Sequence, residues 1–281
     1  QGGAGICLGP RNFMGRVYQA LPISITVEGA NILTRALIVY GQGAVRCHPY
    51  VFREMHAVAN PDPVAGLKDF DRALFGHIGL VVSNAARAFW FGLGGARLTR
   101  SPVAGVSRRY VQRLTRLSAA FALISDMAML SLGGALKRKE RISARFADVL
   151  SYLYLASAAI KRFEDDGRPE GDLPLLRWAC DYAIHQAEKT LVVIIKNLPN
   201  RFLGWLLGGI VFPAGRRYHV PSDALGHAVA KLLLVPSETR DRLTAGIYIT
   251  ADPADVTGRL EDALPKVIAA YNAGPAPVTR W

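Results

Sequence analysis

Four consecutive stretches of this sequence repeat apolar residues at the spacing of an α-helix, and this periodicity restricts the fold more than any other feature. The stretches cover residues 74–97, 107–136, 138–166 and 172–197. In the third, one helix face carries Ile142, Phe146, Val149, Leu150, Leu153, Ala156, Ile160 and Phe163. Arg145, Asp148, Tyr152 and Lys161 lie largely off that face. An apolar face of this kind must be buried, and short connections join antiparallel neighbours, so the pattern predicts an all-α fold with an antiparallel four-helix bundle.

Capping residues and breakers support these boundaries. Ser107 and Asp172 are predicted N-caps, and Gly133, Gly134 and Gly167 are predicted helix terminators. An apolar turn is predicted over 202–212, and shorter helices are predicted from near Ser222, from near Ser237 and over 257–270.

The N-terminal part is less regular. A short helix over 11–20 should stop at Leu21-Pro22, because proline lacks an N–H donor and constrains its predecessor. An extended stretch over 23–27 is predicted next, and then a helix from just after Glu28 to about residue 41. Irregular signals and turn-forming prolines favour a linker over residues 44–73.

Composition narrows the functional classes. With 51% hydrophobic and 20% charged residues the chain is globular, and its net charge of +12 favours contact with an anionic partner such as a phosphate-bearing ligand or a lipid surface. A nucleic-acid partner is not predicted, because the basic runs are not interleaved with aromatic residues and no recognition motif appears. The three scattered cysteines indicate a reducing compartment, and therefore a cytoplasmic protein.

The most apolar stretch runs from Leu117 to Leu136, about the length of a bilayer span. Asp126 lies at its centre, where a charge costs about 2.5–3.5 kcal/mol on insertion scales. The sequence therefore favours a buried helix of a bundle over a membrane span. Contact with the inner face of the plasma membrane stays open as a peripheral mode of binding.

Few residues point to chemistry by spacing. The six histidines show no metal-ligand pattern, so no metal site is predicted. The cluster Gly2-Gly3-Ala4-Gly5 lets a backbone approach a phosphate or a ring closely, although an ordinary turn has the same composition. Glu28, at a predicted helix N-terminus beside Gly29, has the placement of a general base, although residue type alone favours an ordinary first-turn glutamate.

Several separated motifs together resemble the bacterial long-chain branch of the acyl-CoA dehydrogenases. They are Gly5 to Asn12 (GICLGPRN), Thr26 to Arg35 (TVEGANILTR), Arg138 to Arg145 (RKERISAR) and Leu150 to Leu155 (LSYLYL). The resemblance implies that residues 1–43 are the C-terminal part of the catalytic core. It further implies a linker over 44–73 and a helical extension over 74–281, and the start at Gln1 without methionine suggests a C-terminal fragment.

In this family the glutamate of the Glu-Gly motif is the catalytic base, which implies that role for Glu28. The base removes the α-proton of a medium- or long-chain fatty acyl-CoA while the β-carbon passes hydride to FAD, giving trans-2-enoyl-CoA in fatty-acid β-oxidation. A dry pocket raises the pKa of such a carboxylate toward the working range. The backbone N–H of the base donates to the substrate carbonyl, so Glu28 and Gly29 are implied in substrate binding.

The resemblance also implies partners. Gln1, Gly2, Gly3, Ala30, Asn31 and Ile32 are the implied FAD contacts. Because the glycine loop packs on FAD of a neighbouring subunit, a homo-oligomer is implied, with an electron-transfer flavoprotein as electron acceptor. Ala30 and Ile32 replace the hydroxyl and amide residues of many relatives, and most family contacts to flavin and CoA come from domains absent from this sequence, so this segment alone is expected to be inactive.

A second hypothesis comes from another class of function. Residues 74–281 could form a non-catalytic module that docks to a membrane, a subunit or an electron-transfer partner. The net charge and the small-residue-rich helices motivate this alternative.

Overall fold

A computed structural model describes residues 2–10, 12–27, 32–248, 250 and 252–274. These residues form helices and connecting turns, and the described ranges contain no strand, which confirms the all-α prediction. The α-helices are α1 (Phe13–Ala20), α2 (Pro22–Val27), α3 (Gly43–Arg46), α4 (Val51–Val58), α5 (Pro63–Gly94), α6 (Gly105–Leu132), α7 (Glu140–Asp165), α8 (Leu173–Lys196), α9 (Arg201–Val211), α10 (Asp223–Leu234), α11 (Glu238–Thr244) and α12 (Val256–Asn272). A π-helix covers Ile32–Gln42, and short 3₁₀ turns cover Gly2–Gly5, Gly133–Lys137 and Glu170–Asp172.

The chain divides into two compact units, one of residues 30–239 and the other of residues 1–29 with 240–281. In the smaller unit, Asn12 caps α1 by accepting from the Gly15 N–H at 2.7 Å. Arg240 Nη2 lies 2.9 Å from both carboxylate oxygens of Glu261, an ion pair that ties α11 to α12.

The larger unit is built on α5, α6, α7 and α8. Helix α6 packs against α5, α7 and α8, and α7 packs along α8. The predicted apolar face of α7 is buried except at Leu150, which is half-buried. The core shared by these helices includes Leu117, Ile124, Phe146, Ile184, Leu191 and Ile194, each at most 1% exposed. Burying one such side chain contributes about 1.5–3 kcal/mol, which is why the periodic faces determine the bundle.

The π-helix lies on this bundle, mainly against α7. The Tyr40 ring stacks on Phe146 with centroids 4.6 Å apart, and a 2.8 Å hydrogen bond joins its hydroxyl to that of Ser125 on α6. Arg35 forms an ion pair with Asp148 of α7. These contacts hold residues 32–42 against two helices of the bundle.

Two local predictions were wrong, and the predicted linker contains helices. Residues 23–27 are helical rather than extended, because Pro22 occupies the first position of α2, where its missing N–H costs nothing. Much of the stretch 44–73 is helical, since α3, α4 and the first turns of α5 fall in it, and Asp62 caps α5 by accepting from the Val64 N–H at 2.9 Å. Helix α6 starts at Gly105, so Ser107 is buried within its first turn and is not the N-cap.

Other boundaries are confirmed. Gly133 ends α6 with a positive φ of 51°, Asp172 is the N-cap residue of α8, and Ser222 accepts from the Leu225 N–H at 3.3 Å at the start of α10. The division into 1–43, 44–73 and 74–281 stays a prediction.

Within the described residues, one helical stretch, 105–137, is long and apolar enough to cross a membrane. Its most apolar window is 44% buried inside the chain. A single stretch of this kind is weak support for a span, since the core helix of a bundle has the same length and composition.

Candidate functional site

A large groove of about 1040 Å³ lies in the larger unit, and α6 forms its floor. Helices α5 and α7 line its sides, and residues from the π-helix to Pro49 close one end. The walls are mainly apolar, with Leu80, Leu114, Phe121, Met129 and Ile160 among them. A volume of this size with apolar walls and a few polar groups is typical of small-molecule sites.

Charged residues also line the groove, namely Arg87 of α5 and Lys161, Glu164 and Asp165 of α7. Near Pro49, Asp126 of α6 meets two histidines. Asp126 is 4% exposed. Its Oδ1 lies 3.1 Å from His48 Nε2 and 3.9 Å from His77 Nε2. The two imidazole rings lie 4.6 Å apart, centroid to centroid. A buried carboxylate is thus surrounded by two imidazoles from different parts of the chain.

The protonation of His48 follows from its position before α4. Its Nδ1 accepts hydrogen bonds from the backbone N–H groups of Val51, at 3.0 Å, and Tyr50, at 3.2 Å. A nitrogen that accepts carries no proton, so the proton of the ring is on Nε2. His48 thereby caps the N-terminus of α4 with one nitrogen and presents an N–H to the groove with the other.

The ring of His77 carries its proton on the other nitrogen, Nδ1. Its Nδ1 lies 2.8 Å from Oε1 of Glu54 on α4. An ionised carboxylate only accepts, so Nδ1 carries the proton and Nε2 faces Asp126. Glu54 therefore sets the orientation of His77, as a carboxylate often does behind a metal-binding histidine.

A metal ion is the first chemistry that this cluster suggests, because donor atoms of His48, His77 and Asp126 all lie within 4.8 Å of one another. The tautomer of His48 opposes it, since a protonated Nε2 has no lone pair to give to a metal. His77 Nε2 and Asp126 then remain as two protein ligands, fewer than the three or four that zinc sites use. The cluster therefore does not supply the ligand set of a zinc site.

Comparison with known families matches residues 45–275 to the family described as acyl-CoA dehydrogenase, C-terminal, bacterial type. The chain belongs to this family. No solved structure matches it. The His48–His77–Asp126 cluster and most of the groove lining therefore lie within the acyl-CoA dehydrogenase C-terminal domain, and Val39, Tyr40, Gly43 and Ala44 line the groove from outside the matched range.

The predicted catalytic and cofactor residues precede the matched range 45–275 and fall mostly outside the described residues. Gln1, Glu28, Gly29, Ala30 and Asn31 lie there. Gly2 and Gly3 are in the turn Gly2–Gly5, in the smaller unit, and Ile32 is the first residue of the π-helix, in the larger unit. Their roles stay predictions.

Sequence reasoning missed the cluster in the C-terminal domain. His48, His77 and Asp126 are far apart in sequence and come from a loop and two helices. Two signals were available. Asp126 is the only charge in the apolar stretch from Leu117 to Leu136, and a buried charge requires nearby partners. His48 lies three residues before a helix start, where capping residues are common.

Proposed function

We propose that this chain forms part of an FAD-dependent acyl-CoA dehydrogenase that oxidises medium- or long-chain fatty acyl-CoA to trans-2-enoyl-CoA. The observation that carries the proposal is the family match over residues 45–275, directly after the motif from Thr26 to Arg35 in the same chain. The match supports membership of the acyl-CoA dehydrogenases. The motif supplies the specific reaction and its base.

Glu28 is the proposed base, removing the α-proton of the acyl thioester. A base in a dry pocket works best when its pKa is raised toward neutrality, and a backbone N–H that donates to the thioester carbonyl makes the α-proton more acidic. Bound FAD supplies the acceptor for the β-hydrogen. A homo-oligomer and an electron-transfer flavoprotein as electron acceptor belong to the same proposal.

The described part of the proposed FAD contacts is compatible with a close ligand. A Cβ built on Gly3 meets no described atom within 4 Å, so the backbone there is open to approach by a phosphate or a ring. Gln1, Ala30 and Asn31 lie outside the described residues.

The test is to replace Glu28 with Gln in the enzyme that contains this chain and to measure turnover of a long-chain acyl-CoA. Loss of a general base should lower kcat by about 10²–10⁴-fold, with the flavin absorbance retained. Glu140→Gln, at the exposed first residue of α7, is the matched control and should leave kcat unchanged. Equal turnover of Glu28→Gln and the control would contradict the proposal.

A second function is supported by helix α9, namely peripheral docking to an anionic membrane at the cytoplasmic face. Phe202, Trp205 and Leu206 share one face of this helix and are 69%, 74% and 42% exposed. The opposite side is anchored, because Gly204, Leu207 and Val211 are buried. An exposed aromatic face on a short apolar helix is typical of interfacial binding.

Basic residues surround this face. Lys196, Arg201 and Arg216 line a pocket beside α9, together with Trp205 and Phe89 of α5. Each cation near an anionic bilayer contributes about 1 kcal/mol, and this attraction falls with salt. The charge on the rim therefore favours anionic headgroups over neutral ones.

Vesicle co-sedimentation tests the docking surface. We expect binding to vesicles of phosphatidylcholine with phosphatidylglycerol, weaker binding to phosphatidylcholine alone, and a loss of binding at high salt. Trp205→Ala should reduce binding, whereas Tyr154→Ala, which removes an equally exposed aromatic ring on α7, should not. Equal binding to the two vesicle types, or no binding, would contradict electrostatic docking.

A further inference from the structure

We propose that the groove over α6 binds an elongated apolar molecule that ends in a hydroxyl group, held between Asp126 and His48. This site is separate from the proposed dehydrogenation, since it uses neither Glu28 nor the glycine loop. Its ligand class follows from the length of the groove and from the hydrogen-bonding groups at its end.

The groove is long. Its floor extends along α6 from Val111 to Met129, about 27 Å at a rise of 1.5 Å per residue. Leu80 of α5 and Leu150 and Ile160 of α7 form apolar sides. An apolar channel of this length suits an unbranched alkyl chain, whose burial is favourable along its whole length.

The end of the groove near Pro49 holds an acceptor and a donor whose hydrogen-bonding capacity is unused. Asp126 Oδ2 is buried and has no hydrogen-bond partner among the described residues. His48 Nε2 also lacks one there, because Asp126 Oδ1, although 3.1 Å away, lies off the direction of its N–H. Buried polar atoms without partners are costly, by about 1–3 kcal/mol each, so the end of the groove favours a group that satisfies both.

A hydroxyl is the smallest group that can form hydrogen bonds with both Asp126 Oδ2 and His48 Nε2. It donates its proton to Asp126 and accepts from the His48 N–H. A carboxylate only accepts, and its charge would meet that of Asp126 at short range. An ammonium only donates, so it would face the His48 N–H with another donor. The alkyl end of a chain would leave both polar atoms unsatisfied.

The experiment compares two probes of equal chain length, radiolabelled 1-dodecanol and dodecanoate, in equilibrium dialysis against the full 281-residue chain. We expect one saturable site for the alcohol, with affinity at least about tenfold higher than for the carboxylate, because only the carboxylate brings an unpaired charge to Asp126. In Asp126→Asn the repulsion is absent, so the two affinities should lie within about threefold.

A second pair of variants keeps the test decisive if Asp126→Asn does not fold. Ala122→Phe fills the groove, since Ala122 lines it, and should abolish binding of both probes. Ala158→Phe places the same ring on the exposed side of α7 and should leave binding intact. Non-saturable uptake, equal affinities in the unsubstituted chain, or unchanged binding in Ala122→Phe would overturn the proposal. So would a cobalt(II) d–d absorption band that disappears in His77→Ala, which would assign the cluster to a metal.

Discussion

Arg116 Nη1 of α6 lies 3.1 Å from Glu188 Oε1 of α8, and the two side chains are 1% and 0% exposed. The Glu188 carboxylate also accepts from the backbone N–H groups of Arg217 and Tyr218, at 3.1–3.2 Å. The Arg116 guanidinium lies over the ring of Tyr218, 5.1 Å from its centroid. One buried ion pair thus joins two helices to the segment that follows α9.

Loss of the Glu188 charge should strongly lower the free energy of unfolding. Glu188→Gln leaves Arg116 as a buried charge without its counter-ion, and breaking a buried pair in this way costs about 3–5 kcal/mol. The matched control is Asp181→Asn, which breaks the pair with Arg113, where both side chains are near 30% exposed. That loss should be at most about 1 kcal/mol. Urea unfolding followed by circular dichroism measures both, and equal losses would contradict the argument.

Tyr40 should contribute through its hydroxyl as well as its ring. Tyr40→Phe keeps the stack on Phe146 but removes the hydrogen bond with Ser125, whose hydroxyl is then buried without this partner. We expect a loss of about 1–3 kcal/mol in the free energy of unfolding. Tyr154→Phe, on an exposed ring, should change it by less than about 0.5 kcal/mol. If the two variants have the same stability, the Tyr40 hydrogen bond does not stabilise the fold.

Substitution by alanine should change the unfolding free energy in opposite directions at two glycines of α5. At Gly92 a Cβ would lie 2.7 Å from Pro213 Cδ and 3.1 Å from the Val211 carbonyl oxygen, where α5 meets the end of α9. Gly92→Ala should therefore lower the unfolding free energy by about 1–3 kcal/mol. At Gly79 a Cβ meets nothing described within 4 Å, so Gly79→Ala should raise it by about 0.5–1 kcal/mol. A stabilising Gly92→Ala would mean that the helices do not approach so closely.

The three cysteines should differ in how fast their thiols react with DTNB. Cys180 is fully buried, and burial raises the pKa of its thiol to about 12. Because the thiolate is the reactive form, Cys180 should resist the thiol reagent DTNB in the folded chain. Cys7 and Cys47 are exposed and should react rapidly. The expected result is two fast thiols and a third that reacts only in denaturant, while labelling of Cys180 in the folded protein would exclude this packing.

Stability should fall in alkali. Burial raises the pKa of Tyr40, Tyr110 and Cys180 above their ordinary values. A group whose pKa is higher in the folded state stabilises fully below its unfolded pKa, and this contribution is lost as the pH rises toward the folded value. Melting temperatures should therefore decline from about pH 9 upward. Tyr110→Phe should decline less steeply than Tyr154→Phe, and parallel curves would contradict the assignment.

Local sequence was sufficient for the helices of the bundle. The face of α7, the terminator Gly133 and the cap Ser222 were all predictable, because apolar periodicity and capping depend on residues within a few turns of one another. The family was also recognisable from short motifs, and the match over residues 45–275 confirms it. Where helices were not predicted, at residues 23–27 and 44–73, the segments are short and lack a sustained period, so a proline could equally well start or stop a helix.

Only the tertiary structure decided which distant residues meet. Nothing in the spacing of His48, His77 and Asp126 predicts their contact, since it depends on α4 packing against α5 and on α5 packing against α6. The same holds for Arg116 and Glu188, which lie at unrelated positions of two helices. Helical periodicity specifies which face of each helix is buried but not the neighbour that covers it. Packing made that choice, and with it the hydrogen-bonding groups at the end of the groove.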